Sequence, residues 1–325
     1  MTKALPRFSS ALLLDRKGGA RELTENAVDS WTAADGLLWV DCDQNSKRAR
    51  EWLAEHSNTS ETVRSILLAG ETRPRSLLEV DGLVVIMRGI NMNPGAVPDD
   101  MVAVRIWLEK DRIITSHRRR VLSVGDMREL ALSGKGPKTV GDFLIALTGF
   151  LASRIEAAVE NIELLLEKIE AGMAEGDIAS LRTTLGIVRR QAAAIRRHLA
   201  PQRDALDRLT RSHGGLFSDK EVLDLREEGD QLTRHIEDLD LARENALVTQ
   251  EELMNRVAQE QNSRMYVLSI VAAVFLPLSF VTGLLGMNVA GLPGTQNPNG
   301  FLISAVVMVS LGIVLIAYFK WRKWL

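Results

Sequence analysis

Residues 265–285 read MYVLSIVAAVFLPLSFVTGLL, with no charged side chain anywhere in the run. At 1.5 Å of rise per residue a helix here reaches roughly 30 Å, the thickness of a hydrocarbon core. Residues 301–319, FLISAVVMVSLGIVLIAYF, make a second uncharged run of similar reach. One such run also fits the core helix of a soluble protein. Two in tandem predict a transmembrane hairpin. The connection, GMNVAGLPGTQNPNG at 286–300, is uncharged and rich in turn formers. Basic residues flank the outer ends instead: Arg264 before the first span, and Lys320, Arg322 and Lys323 after the second. Basic loops stay on the cytoplasmic side, so both termini are expected there and the neutral loop outside. Tyr266, Tyr318, Trp321 and Trp324 fit an aromatic belt at that inner interface.

Working outward, the 325-residue chain has a net charge of -2 and lacks the basic excess of a nucleic-acid-binding protein. Its one cysteine, Cys42, rules out an intramolecular disulfide and a four-thiolate zinc site. The apolar run at 11–14 is too short for a signal-peptide core, so the charged part is expected to stay in the cytoplasm.

Short apolar runs at 11–14, 36–40, 77–80, 83–90, 102–108 and 112–115 are of strand length. Asp81-Gly82 is a hairpin signal between two of them. Helices are expected around 46–55 and 61–68. This pattern predicts an α/β domain over residues 1–139.

From Val140 the period becomes helical: Phe143, Leu147, Phe150, Ile155, Ala158, Ile162, Leu165 and Ile169 keep one apolar face. Gly172 and Gly176 break that run and Asp177 can cap the next helix, which Pro201 is expected to kink or interrupt. Residues 140–217 thus read as a helical hairpin. Ser218 and Glu221 then form an S-x-x-E capping box, with Phe217 placed to staple onto Val222. Val222, Leu225, Leu232, Ile236, Leu239, Ala246, Leu253 and Val257 follow at heptad-like spacing, with Gly229, Arg243 and Gln250 as weaker members. Nothing breaks the pattern before the membrane. A stalk at 218–264 is therefore expected to continue into the first span, 265–285, as one helix on the order of 100 Å long. Loop 286–300, a second span at 301–319 and a basic tail at 320–325 complete the order.

Two helices cannot enclose a water-filled path, so conduction requires several copies around an axis. Counting back along the first span, Gly283, Ser279, Leu276, Ala272, Leu268, Met265 and Asn262 lie three or four apart. As a pore wall, Leu276, Leu268 and Met265 make apolar constrictions and Asn262 a polar inner ring. The same stripe is also compatible with ordinary packing between membrane helices. Pro277 removes a backbone donor inside this span, which suits a helix packed among others.

Gly286-Met287-Asn288 directly follows that span, after the long helix and with one more span to come. Together with YVLSIVAAVFLPLSFVTGLLGMN, this resembles the CorA superfamily of divalent-cation transporters over nearly the whole chain. RRHLAPQRDALDRL at 196–209 is similar to that superfamily's segment before the stalk. DDMVAVRIWLEKDRIITSHRRR at 99–120 and GMNVAGLPG at 286–294 look like its zinc-transporter branch, ZntB. The resemblance implies an α+β membrane protein assembled as a funnel-shaped homopentamer in a bacterial inner membrane. Its first membrane helix lines the pore, and Gly286, Met287 and Asn288 ring the outer mouth. The cargo implied is zinc, with magnesium, cobalt, nickel and cadmium as further divalent cations; no cofactor is expected. CorA-type members commonly carry an acidic residue in this loop, and this chain has none at 289–300, a departure that favours zinc over magnesium.

The Asn288 amide oxygen is a hard, neutral acceptor. A ring of such oxygens can hold a hydrated cation without stripping its shell, and the carbonyl end of the helix adds partial negative charge there. Gly-x-Asn is equally a common helix C-cap. Asp41, Cys42 and Asp43 are a second, weaker metal candidate, since neighbours in a strand face opposite ways and at most two can meet one ion. The bland reading there is a buried thiol between two surface acids. His117 and Arg118 to Arg120 read as a solvated or interfacial basic run. No Ser/His/Asp set, phosphate loop or H-E-x-x-H suggests an enzyme. The functional alternatives left open are a magnesium/cobalt channel and a membrane-anchored sensor or scaffold.

Overall fold

The computed structural model describes residues 7–97, 100–173, 177–287, 292 and 297–322. The chain divides into two compact units, residues 1–250 and 251–325.

The first unit is built on a seven-stranded sheet in the order β2-β1-β3-β7-β6-β5-β4. Its strands are β1 (Ser10–Leu14), β2 (Ala20–Glu22), β3 (Leu37–Asp43), β4 (Arg75–Glu79), β5 (Gly82–Gly89), β6 (Val102–Leu108) and β7 (Arg112–His117). Only β3 and β7 run parallel; every other pair is antiparallel. A parallel neighbour requires a crossover, and β3 reaches β7 only after the β4–β6 meander. The strands are apolar and β-branched and largely covered on both faces, so they read as continuous apolar runs.

On one face Leu38, Val40 and Cys42 of β3 pack with Ile114 and Trp107. They lie under Trp52, Leu53, Val63 and Leu67 from the segment holding α2 (Lys47–Glu51) and α3 (Glu61–Leu68). Both helices are capped locally: Ser46 Oγ accepts from Ala49 N at 3.3 Å and Ser60 Oγ from Val63 N at 3.3 Å. Short α1 (Glu25–Asp29), capped by Thr24, and α4 (Leu122–Leu130) were not legible as periodic segments because they span only one or two turns.

The opposite face carries α5 (Val140–Gly172) and α6 (Ile178–Arg211). Trp39 of β3 meets Phe143 edge-on, ring centroids 4.9 Å apart. Strand β5 comes so close to α5 that a Cβ at Gly89 would stand 2.5 Å from Leu151 Cδ2.

One expectation is narrowed and one corrected. Of the kink or interruption expected at Pro201, the interruption does not occur, since α6 runs through it. A helix-interior proline costs ~3 kcal/mol, but α6 is docked on both sides of it. Leu199, Ala205 and Leu206 are buried, Gln202 Oε1 accepts from Arg88 N at 2.7 Å, and Ala205 O accepts from Ser76 Oγ at 2.9 Å. The β4–β5 turn is also displaced by one residue. Glu79 pairs with Gly82, so the loop is Val80-Asp81 and Gly82 opens the strand. Gly82 is needed there for close approach: a Cβ would stand 2.3 Å from Leu108 O.

The capping box forms as read. Ser218 N donates to Glu221 Oε2 at 2.6 Å, and Glu221 N to Ser218 Oγ at 3.4 Å. Thr139 Oγ1, the N-cap of α5, donates to the same carboxylate, so one side chain ties the starts of two helices. From there α7 (Asp219–Leu285) is a single helix. Its buried seam includes Leu225, Leu232, Ile236, Leu239, Ala242, Ala246, Thr249 and Leu253; Ala242 and Thr249 are buried in place of the expected Arg243 and Gln250. After the connection comes α8 (Gly300–Trp321).

Candidate functional site

The membrane-type helices are the end of α7 and all of α8, both long and apolar enough to cross a bilayer. In an isolated chain such helices leave most side chains open. The ones that are partly covered therefore mark where the two helices meet. On α7 these are Ile270, Ala273, Val274, Pro277, Leu278 and Val281; on α8 they are Ser304, Met308, Leu311, Gly312, Leu315 and Phe319. Each set repeats every three or four residues and so occupies one helix face. Gly312 lets the pair approach: a Cβ there would stand 3.9 Å from Leu278 Cδ1. Three hydroxyls in this region bond within their own helices. Ser269 Oγ donates to Met265 O at 2.8 Å, Thr282 Oγ1 to Ser279 O at 2.9 Å and Ser304 Oγ to Gly300 O at 2.9 Å.

Asn262, Met265, Leu268, Ala272, Leu276, Ser279 and Gly283 are all exposed. At 100° per residue their mean direction differs by about 160° from that of the α8-facing set. The candidate pore stripe therefore points away from α8 and is uncovered among the described residues. The covered face of α8 had no signal in the sequence, since 301–319 is apolar on every side. The missing ingredient was which face of α7 α8 would choose.

At the end of α7, Gly286 N donates to Thr282 O at 2.9 Å and Met287 N to Leu284 O at 3.5 Å, closing the last turn. Both residues are exposed. Asn288 lies outside the described residues, as do Lys323 and Trp324 of the tail.

The second candidate is dispersed by the sheet. Cys42 points into the apolar cluster beneath α2 and α3 and is fully buried. Burial first, then the neighbouring Asp41 and Asp43 charges, push its thiol well above the usual range. Asp43 stays near the surface, its Oδ1 accepting from Asn45 N at 2.8 Å. Asp41 turns to the α5 side and is 5 % exposed, so it is not a surface acid. There it ends a chain of hydrogen bonds: Trp39 Nε1 donates to Thr115 Oγ1 at 3.0 Å, which donates to Asp41 Oδ1 at 2.6 Å. Its other oxygen meets His117 Nε2 at 3.1 Å. His117 is thus buried and paired rather than part of a solvated run. Burial alone would lower its pKa, but the hydrogen bond and charge of Asp41 outweigh that and hold it above the usual value. This pairing was invisible in sequence because it depends on β3 lying beside β7. Among the described residues no group of three or more His, Cys, Asp or Glu side chains is placed to hold a metal ion.

The sequence profile of the family described as CorA-like Mg2+ transporter protein matches residues 34–322. The chain belongs to the CorA-like family. The relatives of this CorA-like chain include the divalent cation transporter CmaX of Pseudomonas aeruginosa, 35% identical over 316 residues that cover 96% of this chain and 95% of CmaX. The zinc transport protein ZntB of Yersinia enterocolitica is 30% identical over 312 residues, covering 96% and 94%. The structure of full-length CmaX superimposes with a TM-score of 0.85 at 33% identity, covering 100% of this chain and 99% of that one. The CorA magnesium transporter of Methanocaldococcus jannaschii shares the fold at 19% identity, with a TM-score of 0.84 over 97% and 99% of the two chains. An N-terminal α/β unit, one long helix and two C-terminal apolar helices are thus the architecture of the CorA-like family, and its members here are transporters.

Proposed function

We propose that the chain carries divalent metal cations across a bilayer, zinc foremost, as a homopentamer with the exposed α7 stripe around its axis. The observation that carries this reading is the opposition of the two α7 faces. One is taken by α8, and the other presents Leu268, Ala272, Leu276, Ser279 and Gly283, all exposed among the described residues. Small residues allow close approach of neighbouring copies, and Leu268 and Leu276 supply apolar constrictions. Leu241, Val248 and Met254 are also exposed further down α7, as expected of a helix that meets other copies. In this reading Gly286, Met287 and Asn288 form the outer mouth, both termini face the cytoplasm of a bacterial inner membrane, and residues 1–264 form the cytoplasmic part.

Zinc is supported by the ZntB relatives and by the absence of acidic residues at 289–300. The family description, which names Mg2+, favours magnesium as the second reading. Purified protein in liposomes separates them. Uptake of Zn2+ exceeding uptake of Mg2+ is expected at equal concentration; uptake of Mg2+ alone would remove zinc as the cargo. Flux of neither ion would leave only an anchoring role for the hairpin.

A further inference from the structure

Arg105 is the most unusual charged residue of the first unit. It lies in the middle of β6, in register with Ser116 on one side and Ile86 on the other, and is 1 % exposed. Nη2 donates to Gly70 O at 2.9 Å, while Nε and Nη1 find no partner among the described residues. Among the described residues no carboxylate pairs with it. A buried charge with two unused donors costs free energy unless something else completes it. Burial first, then the Arg88 and Arg118 charges, push its pKa down to about 10.

Arg105 also lines a cavity of ≈ 400 Å³, together with Arg88, Arg118 and Arg119. Arg88 is held by backbone carbonyls alone: Nε and Nη2 reach Thr72 O at 3.2 and 2.9 Å and Nη1 reaches Met101 O at 3.1 Å. The acids on the wall are Glu71 and Asp100, and Asp100 is already paired with Arg119. A second cavity, ≈ 620 Å³, shares Arg88, Glu71 and Asp100 with the first and adds Arg73, Arg197 and His198. Burial, then Arg88, Arg197 and Arg73, push His198 down to about 4, so the imidazole is neutral in a positive field. Among the described residues six guanidinium groups and two carboxylates thus line two adjoining cavities. Among those lining residues there is no Phe, Tyr or Trp to stack on a flat base.

We propose that this cleft binds a phosphate chain, a di- or triphosphate, with Arg105 and Arg88 at its floor and Arg118 and Arg197 at its rim. A planar guanidinium presents parallel donors that match a phosphate's oxygens, and Arg118 and Arg197 at the rim are exposed to offer them. Two lobes joined at Arg88 suit several linked phosphates better than one. This site is separate from the membrane hairpin and does not depend on which cation is carried.

Isothermal titration of the full-length, detergent-solubilised protein tests it, in metal-free buffer at constant ionic strength. The titrants are inorganic triphosphate, pyrophosphate, orthophosphate and potassium chloride. Triphosphate and pyrophosphate are expected to bind more tightly than orthophosphate, by about tenfold or more, with chloride giving no comparable heat. Arg105→Met and Arg118→Gln should each weaken triphosphate by about tenfold, the size expected for one charge-assisted contact. Without ligand, Arg105→Met should melt no lower than the parent, because it removes an unpaired buried charge. If Arg105→Met does not fold, Arg118→Gln and Arg197→Gln decide, since both side chains are exposed. Triphosphate heat no larger than that of chloride would overturn the proposal, as would rim variants that bind as tightly as the parent.

Discussion

Asn288→Ala is expected to cut zinc uptake into liposomes by about 100-fold while leaving the assembly intact. In the five-fold mouth proposed above, the substitution would remove five amide oxygens at once. Each hydrogen bond to the hydration shell of the ion is worth about 1 kcal/mol net, and tenfold in affinity corresponds to about 1.4 kcal/mol. The five together amount to several kcal/mol at the entrance, even with incomplete additivity. Loop 286–300 offers no carboxylate to take over. Alanine keeps the chain length and places no charge in the bilayer, so the oligomer should elute unchanged. Uptake within twofold of the parent would mean that Asn288 serves only to cap α7.

The largest stability effect is expected at Trp39. The side chain is 1 % exposed, meets Phe143 edge-on at 4.9 Å and donates Nε1 to Thr115 Oγ1 at 3.0 Å. Trp39→Ala leaves a large cavity between β3 and α5 and frees the hydroxyl that orients Asp41 toward His117. Truncating a buried aromatic costs about 3–5 kcal/mol. For a unit of this size that lowers Tm by about 10 °C, measured by circular dichroism on the full chain in detergent. A shift under about 2 °C would show that α5 is not held to the sheet through this contact.

Much of this architecture was legible because periodicity reports burial directly. The two spans, the Ser218–Glu221 start and the long α7 were all readable from spacing and charge. So were six of the seven strands, because their apolar runs are bounded by turn formers. β2, with only three residues and a mostly exposed pattern, carries no such signal. Whether α6 would stop at Pro201 was not legible, because the cost of a proline is local while the packing of Leu199, Ala205 and Leu206 that carries the helix through it is tertiary. The Asp41–His117 pair and the Arg105 cleft were hidden for a related reason. Each joins residues far apart in the chain, and only strand order brings them together. The stripe on α7 could be counted in sequence, yet only the position of α8 distinguishes its free face from its covered one.

That distinction is the most direct point of attack on the account. Cysteines can be introduced singly at Leu268 and Leu276 on the free face and at Val274 and Val281 on the α8 face. Cys42 is a silent background, being fully buried with its thiol pushed well above the usual range. A charged methanethiosulfonate is then applied and zinc uptake measured before and after. Modification at Leu268→Cys and Leu276→Cys is predicted to block uptake, and at Val274→Cys and Val281→Cys to leave it unchanged. Equal inhibition from both faces, or full uptake with Leu268→Cys and Leu276→Cys demonstrably modified, would contradict a path along this stripe.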